Sequence, residues 1–197
     1  MVRIILVRHG ETNWNKTHCL QGAGSDVPLD GVGERQAERL AARLKKEKVA
    51  AVYSSPLQRA RYTAQAIASK HDLSVEAVAG LEEIGLGRFE GFPSAELPEH
   101  FHQFIALNKH LENNPAGEPI EDVQKRAWHV VETIVSAHRE GAVVAVSHYF
   151  VISSLVCRVL GLPLDNLGRL RMSPATLSAF TIEPEGVPIL ELFNAPA

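Results

Sequence analysis

The sequence has few of the features that mark secreted, membrane and nucleic-acid-binding proteins. It holds two cysteines, Cys19 and Cys157, without CxxC spacing, which gives no disulfide framework and favours a reducing, cytoplasmic location. No apolar run approaches the roughly 18–20 residues of a membrane-spanning helix, and the apolar run before Arg8 is too short for a signal peptide. The formal net charge is −3 and no lysine or arginine run stands out, so we expect no nucleic-acid and no membrane partner.

The composition is that of an ordinary globular chain. The 197 residues are 45% hydrophobic and 22% charged, enough for one domain with a sizeable core. The sequence contains no internal repeat and no low-complexity linker. We therefore expect residues 1–197 to form one domain, with room for a small insert.

Short apolar segments alternate with segments of helical periodicity. The predicted strands are Ile4–Val7, Val49–Tyr53, Ala142–Val146 and, late in the chain, about Thr176–Thr181 and Val187–Phe193. The predicted helices are Gly31 to about Lys48, a helix with Ser55 as N-cap and Pro56 at its first position, about Ile120–Arg139, and the apolar segment after His148. Residues 10–30 have the composition of a loop. This alternation predicts an α/β fold, a three-layer α/β/α sandwich around a mostly parallel sheet.

Three of the predicted strands lead into polar residues at their carboxyl ends. The first ends in Arg8–His9, the second leads to Arg59, and the third ends in Ser147–His148. Ligands of such sheets bind outside the carboxyl ends of the strands, so neighbouring strands would bring two arginines and two histidines together. Arginine pairs bidentately with phosphate, and neutral histidine is a competent nucleophile toward phosphorus. An alcohol leaving group would also need a carboxylic acid nearby.

Four segments resemble the motifs of the histidine phosphatase superfamily, phosphoglycerate mutase-like branch, and occur in the family's order. They are RHGETNWN (Arg8–Asn15), SSPLQRARYTA (Ser54–Ala64), LEEIGLGRFEG (Leu81–Gly91) and VVAVSHYFVI (Val143–Ile152). The resemblance implies the phosphoglycerate mutase-like fold, a reaction through phosphohistidine, a small phosphorylated metabolite as substrate, and neither a metal ion nor an organic cofactor.

The resemblance also implies roles for single residues. His9 would be the nucleophile, and the phosphoryl group would be bound by Arg8, Arg59 and His148. Asn15 would add a hydrogen bond, and Gln21 and Gly22 would lie at the pocket rim.

Two positions of these motifs leave alternatives open. Glu83 would be the general acid by its place in the Leu–x–Glu–x–x–x–Gly pattern, but the adjacent Glu82 is a rival that spacing does not exclude. Tyr149 stands where the family usually has glycine. Its side chain would either narrow the substrate pocket or point into the core.

Hydrolysis is the expected reaction, with two alternatives. Mutases of the family carry a longer insert between the two histidines than this chain does, and a longer C-terminal tail. Phosphoglycerate mutase-type transfer is therefore the second hypothesis, after hydrolysis. A non-catalytic module that binds a phosphorylated ligand is the third, and Tyr149 is its one support.

Residues 84–119 would form a lid-like insert that selects the substrate. Glu99, His100, His102 and His110 lack a recognised metal-ligand spacing, so we expect no metal site there. The sequence does not decide oligomeric state, and a homodimer stays open.

Overall fold

The computed structural model describes residues 1–96, 117–183 and 186–197. These residues form a six-stranded sheet in the order β3-β2-β4-β1-β5-β6. The strands are β1 (Val2–Arg8), β2 (Val49–Ser54), β3 (Val75–Ala77), β4 (Gly141–Ser147), β5 (Thr176–Ile182) and β6 (Ile189–Pro196). The first four in that order are parallel, whereas β5 and β6 each run antiparallel to the preceding neighbour. The sheet is thus mostly parallel, as predicted.

Helices and short 3₁₀ turns connect the strands. The helices are α1 (Asn13–Lys16), α2 (Gly31–Leu44), α3 (Gln58–Ala68), α4 (Ile120–Ala137) and α5 (Tyr149–Val159). The 3₁₀ turns are Ala79–Leu81, Gly87–Phe89, Ser94–Glu96 and Leu164–Arg169. Asp30 caps α2, because its Oδ1 accepts the N–H groups of Val32 and Gly33, which no residue inside the helix can satisfy. No helix in the described ranges combines the length and apolar character that crossing a membrane requires.

Alternating side chains of β1 pack on opposite faces of the sheet. Ile4 and Leu6 belong to the core cluster that holds the apolar faces of α4 and α5. Ile5 and Val7 belong to a second cluster, with the apolar faces of α2 and α3. Because both faces of the strand are covered, the three-layer α/β/α sandwich is confirmed.

Several predicted boundaries were wrong for local reasons. Helix α2 ends at Leu44 instead of near Lys48, because Leu44 is the last side chain of the segment that reaches the core. Ser55 does not cap α3: the helix begins at Gln58, and the Ser55 hydroxyl lies 2.8 Å from Nε2 of His148. The predicted loop 10–30 contains α1, and the strand β3 was not predicted.

The beginning of the predicted lid is hydrogen-bonded to the loop that follows α1. Leu20 exchanges backbone hydrogen bonds with residues 91 and 92, at 2.9 Å each, and Ser94 N–H donates to His18 O at 2.8 Å. Residues 97–116, with Glu99, His100, His102 and His110, lie outside the described residues. The substrate-selecting lid and the single domain stay predictions.

The sheet order places three carboxyl ends side by side. Strand β4 lies between β2 and β1, and the register pairs Ser147 with Arg8 and Val146 with Ser54. The residues that follow, Ser55, His9 and His148, therefore emerge at one edge of the sheet.

Candidate active site

His9 follows β1 directly and is buried, with 2% of its surface exposed. Its backbone N–H donates to Ser147 O at 3.1 Å, and its Nδ1 lies 2.7 Å from Gly10 O. A carbonyl oxygen can only accept, so Nδ1 carries the proton and Nε2 keeps its lone pair. Burial, followed by the charges of Arg59 and Arg8, holds the pKa of His9 well below 6.5. The ring is therefore neutral at physiological pH.

His148 stands beside His9 at the N-terminus of α5. The ring centroids are 5.1 Å apart and the ring planes are tilted by 56°. Nε2 of His148 lies 2.8 Å from Ser55 Oγ, while the buried Nδ1 has no hydrogen-bond partner among the described residues. Burial and then the charge of Arg59 keep the pKa of His148 well below 6.5.

Arg59 is fully buried in the first turn of α3. Its Nη1 donates to Ser25 O at 2.6 Å and its Nη2 to Gly22 O at 3.2 Å. Burial lowers its pKa, and the charge of Glu83 opposes that shift. Arg59 thus ties the loop between α1 and α2 to the carboxyl edge of the sheet.

Arg8 is the last residue of β1 and is half-buried. Its Nη1 donates to Met172 O, and its guanidinium lies 5.5 Å from the centroid of the Tyr149 ring. Burial lowers the pKa of Arg8 to about 10. The side chain is therefore charged at neutral pH and held from two sides.

Glu83 is the buried carboxyl group of the site, with 4% of its surface exposed. Oε1 accepts the N–H of Ile84 at 3.0 Å, and Oε2 accepts the N–H of Phe150 at 3.5 Å. Burial raises its pKa, while these hydrogen bonds and the charges of Arg59 and Arg8 oppose the shift. Glu82 is only half-buried. Burial and a raised pKa suit Glu83 to donate a proton, and favour it over Glu82.

Thr12 links Asn15, the predicted hydrogen-bond donor to the phosphoryl group, with the predicted rim residue Gln21. Its backbone N–H donates to Asn15 Oδ1 at 3.1 Å, its Oγ accepts the N–H of Asn15, and Oγ lies 2.9 Å from Gln21 Oε1. Gly22 lies beside them, and its carbonyl binds Arg59. A Cβ on Gly22 would meet the Glu90 carboxyl group and would come within 2.9 Å of the backbone oxygen of Ile84, which cannot move aside as a side chain can, and this close approach favours glycine.

Tyr149 lies against the site and packs at the edge of the core. Its hydroxyl donates to Leu170 O at 2.9 Å, its ring faces the guanidinium of Arg8, and it makes a T-shaped contact with the Phe150 ring. The residue that departs from the family motif therefore contacts one of the two arginines.

The match to a known family extends over almost the whole chain. A family model of the histidine phosphatase superfamily (branch 1) matches residues 4–195. The chain belongs to this superfamily. Its reactions proceed without a metal ion.

Similar proteins of this superfamily include named phosphatases and a named mutase. Phosphoserine phosphatase 1 of Hydrogenobacter thermophilus is 32% identical over 196 residues, which cover 98% of this chain and 92% of that one. The "Probable phosphoglycerate mutase GpmB" of Yersinia enterocolitica is 32% identical over 184 residues, 90% of this chain and 84% of the other. A mutant phosphoserine phosphatase from Entamoeba histolytica, solved with phosphoserine, has a TM-score of 0.87 at 29% identity, covering 98% and 97% of the two chains.

Sequence reasoning missed several side chains that support this histidine phosphatase site. Ser55 contacts His148, and Thr63 accepts the N–H of Gly10 at 3.1 Å while donating to Arg59 O at 2.8 Å. Both lie inside the second motif, and Thr63 is four residues after Arg59 on the same helical face, which was the available signal. Arg126 donates to the backbone oxygen of Glu83 at 3.1 Å, a contact between distant elements that no local pattern indicates.

The described part of the chain contains no group of three or more His, Cys, Asp or Glu side chains placed to hold a metal ion. The positive charge at the site comes instead from Arg8 and Arg59, which can pair with a phosphoryl group.

Proposed function

We propose that this protein is a phosphatase that hydrolyses small phosphomonoesters through a phosphohistidine formed on His9. The observation that carries the proposal is the tautomer of His9: Nδ1–H is bound to Gly10 O, which leaves the Nε2 lone pair free beside two arginines. A nucleophile of this kind attacks phosphorus, and the arginines stabilise the charge that spreads over the phosphoryl oxygens.

In the first step, Nε2 of His9 attacks phosphorus as the bond to the alcohol oxygen breaks. Arg8, Arg59 and His148 bind the three non-bridging oxygens, with the amide of Asn15 adding a hydrogen bond. Glu83 gives its proton to the departing oxygen, so the product leaves as an alcohol. The hydrogen bond from Nδ1 to Gly10 O stabilises the positive ring of the phosphohistidine.

In the second step, a water molecule attacks phosphorus on the side opposite His9. Glu83, now ionised, takes a proton from that water, and the phosphorus–nitrogen bond breaks with its electron pair returning to Nε2. Inorganic phosphate leaves, and both His9 and Glu83 are back in their starting protonation states.

The substrate is a small phosphorylated metabolite with one phosphate group. The described site offers two arginines for one dianion, and the similar proteins are named for phosphoserine and phosphoglycerate chemistry. Gln21, Gly22 and Tyr149 would border the organic part of the substrate. A cytoplasmic location stays a prediction from the sequence, and a homodimer stays open.

The test is phosphate release from p-nitrophenyl phosphate and a panel of monophosphates, phosphoserine and 3-phosphoglycerate among them, with EDTA present. His9→Ala should abolish release, whereas His129→Ala, a change to an exposed histidine of α4, should leave it unchanged. Acid-labile, base-stable phosphate on the wild-type protein after rapid quenching would identify the phosphohistidine.

Two results would contradict the phosphatase. Transfer of the phosphoryl group between phosphoglycerate positions without phosphate release would identify a mutase. Phosphate binding by the intact protein, without turnover of any compound in the panel, would identify a non-catalytic binding module.

A further inference from the structure

Arg126 of α4 forms the most extensive side-chain hydrogen-bond network near Glu83 in the described residues. Its Nε donates to Glu118 Oε1 at 2.7 Å and its Nη2 to Glu118 Oε2 at 2.9 Å, a bidentate ion pair in which each side chain is about a quarter exposed. The same guanidinium also donates to Gly80 O at 2.9 Å and to Glu83 O at 3.1 Å. One side chain therefore binds the main chain on both sides of Leu81.

Glu118 adds a second connection to the same segment. Its backbone N–H donates to Gly85 O at 2.8 Å, and its Oε2 accepts the N–H of Gly85 at 3.3 Å. The segment from Gly80 to Gly85, with Glu83 inside it, is thus held at both ends by the Arg126–Glu118 pair.

The carboxyl group of Glu83 is held by main-chain groups. Among the described residues its oxygens accept hydrogen bonds from backbone N–H groups, those of Ile84 and Phe150. A side chain held in this way takes its position from the backbone that carries it. Proton transfer needs donor and acceptor within hydrogen-bonding reach, and a displacement of about 1 Å can cost about a hundredfold in rate.

We propose that Arg126 and Glu118 are positioning residues for Glu83, which they hold through its backbone in the place from which it protonates the leaving group. This inference rests on the proposed phosphatase activity. The guanidinium binds the backbone oxygen of Glu83 and not its carboxylate, so its removal should impair proton donation more than phosphate binding.

The proposal is tested by comparing two kinds of leaving group. A p-nitrophenolate leaves without needing a proton, whereas an alkoxide needs one in the transition state. We would measure kcat/KM, which reports steps up to the first phosphoryl transfer, for p-nitrophenyl phosphate and for the alkyl phosphomonoester of the panel that the wild type hydrolyses fastest. The variants are Arg126→Met, which keeps the aliphatic stem, Arg126→Lys and Glu118→Gln. The control is Lys125→Met, a loss of the same charge on the adjacent, exposed residue of α4.

We expect Arg126→Met to lower kcat/KM for the alkyl ester by about ten- to a hundredfold and for the aryl ester by less than about threefold. Glu118→Gln should also lower kcat/KM for the alkyl ester, by a smaller factor. Arg126→Lys should lower it about as much as Arg126→Met does, because an ammonium group cannot make the bidentate pair and reach two carbonyls. The inhibition constant of inorganic phosphate should change by less than about twofold, and Lys125→Met should match the wild type.

Equal losses for both esters, or no loss for either, would overturn the proposal. If Arg126→Met does not fold, the Glu118→Gln ratio of alkyl to aryl activity decides the question alone, since that change keeps the size of the side chain. Failure of the wild type on every ester would instead refute the phosphatase activity itself, so the two failures are distinguishable.

Discussion

The rings of His9 and His148 lie with their centroids 5.1 Å apart, and both are buried beside the same two arginines. Two imidazoles in such surroundings are held neutral, since a proton on either would have to enter a desolvated region of positive charge. The arrangement supplies an unprotonated nucleophile. The positive charges of the two arginines would attract a phosphate dianion to the same place.

The two histidines should make the protein less stable in acid. Their folded pKa values are lowered, so below pH 6.5 the unfolded chain binds more protons and the free energy of unfolding falls as pH falls. Each histidine should cost about 1.4 kcal/mol per pH unit once the pH is well below 6.5. Denaturant titrations between pH 7 and 5 should show a shallower loss for His148→Gln than for wild type. The exposed His129→Ala is the control and should keep the wild-type slope; an unchanged slope in His148→Gln would contradict the prediction.

Replacing Glu83 by glutamine should slow alkyl esters selectively. The general acid must be protonated, and burial raises the pKa of Glu83, so wild-type kcat/KM should decline as pH rises through that pKa. Glu83→Gln should lower kcat/KM for an alkyl ester by about 10²- to 10⁴-fold, affect p-nitrophenyl phosphate much less, and lose the alkaline decline. Glu82→Gln is the matched control. If Glu82→Gln gave the larger effect, Glu82 would be the acid.

Arg59 should be needed for both folding and phosphate binding. Arg59→Met removes the donor to the buried carbonyl of Ser25, which should cost about 1–3 kcal/mol of unfolding free energy, whereas Gly22 O keeps the hydrogen bond from the Ser25 hydroxyl. The inhibition constant of inorganic phosphate should rise at least about tenfold, because a charged, bidentate donor is lost. The control is Arg61→Met, two residues along α3 and exposed, for which a change within about 0.5 kcal/mol is expected. Equal effects of the two changes would refute the role of Arg59.

The ring and the hydroxyl of Tyr149 should have separable effects. Tyr149→Phe removes the hydrogen bond to Leu170 O and should lower the free energy of unfolding by about 0.5–1.5 kcal/mol, with phosphate inhibition almost unchanged. Tyr149→Leu also removes the ring that faces Arg8 and should weaken inhibition by inorganic phosphate by about two- to thirtyfold. Identical inhibition constants for the two variants would show that the ring does not support Arg8.

The sequence by itself determined the layered fold and predicted most of the side chains that the structure brings together at the candidate site. The apolar run Ile4–Val7 followed by Arg8–His9, and the run ending in Ser147–His148, predict buried parallel strands with polar residues at their carboxyl ends. The sheet order confirms this prediction. The sequence could predict the strands because strand periodicity and turn residues depend on a few neighbouring residues.

Only the tertiary structure decided how these groups are held. Arg59 donates to carbonyls more than thirty residues away, and the backbone oxygen of Glu83 accepts a hydrogen bond from Arg126 of α4. Ser55 shows why local patterns are not sufficient. Its sequence neighbours predict a helix cap, but in the structure its hydroxyl contacts His148, ninety-three residues further along the chain. Such contacts join segments that the sheet brings together, and no pattern confined to one segment contains them.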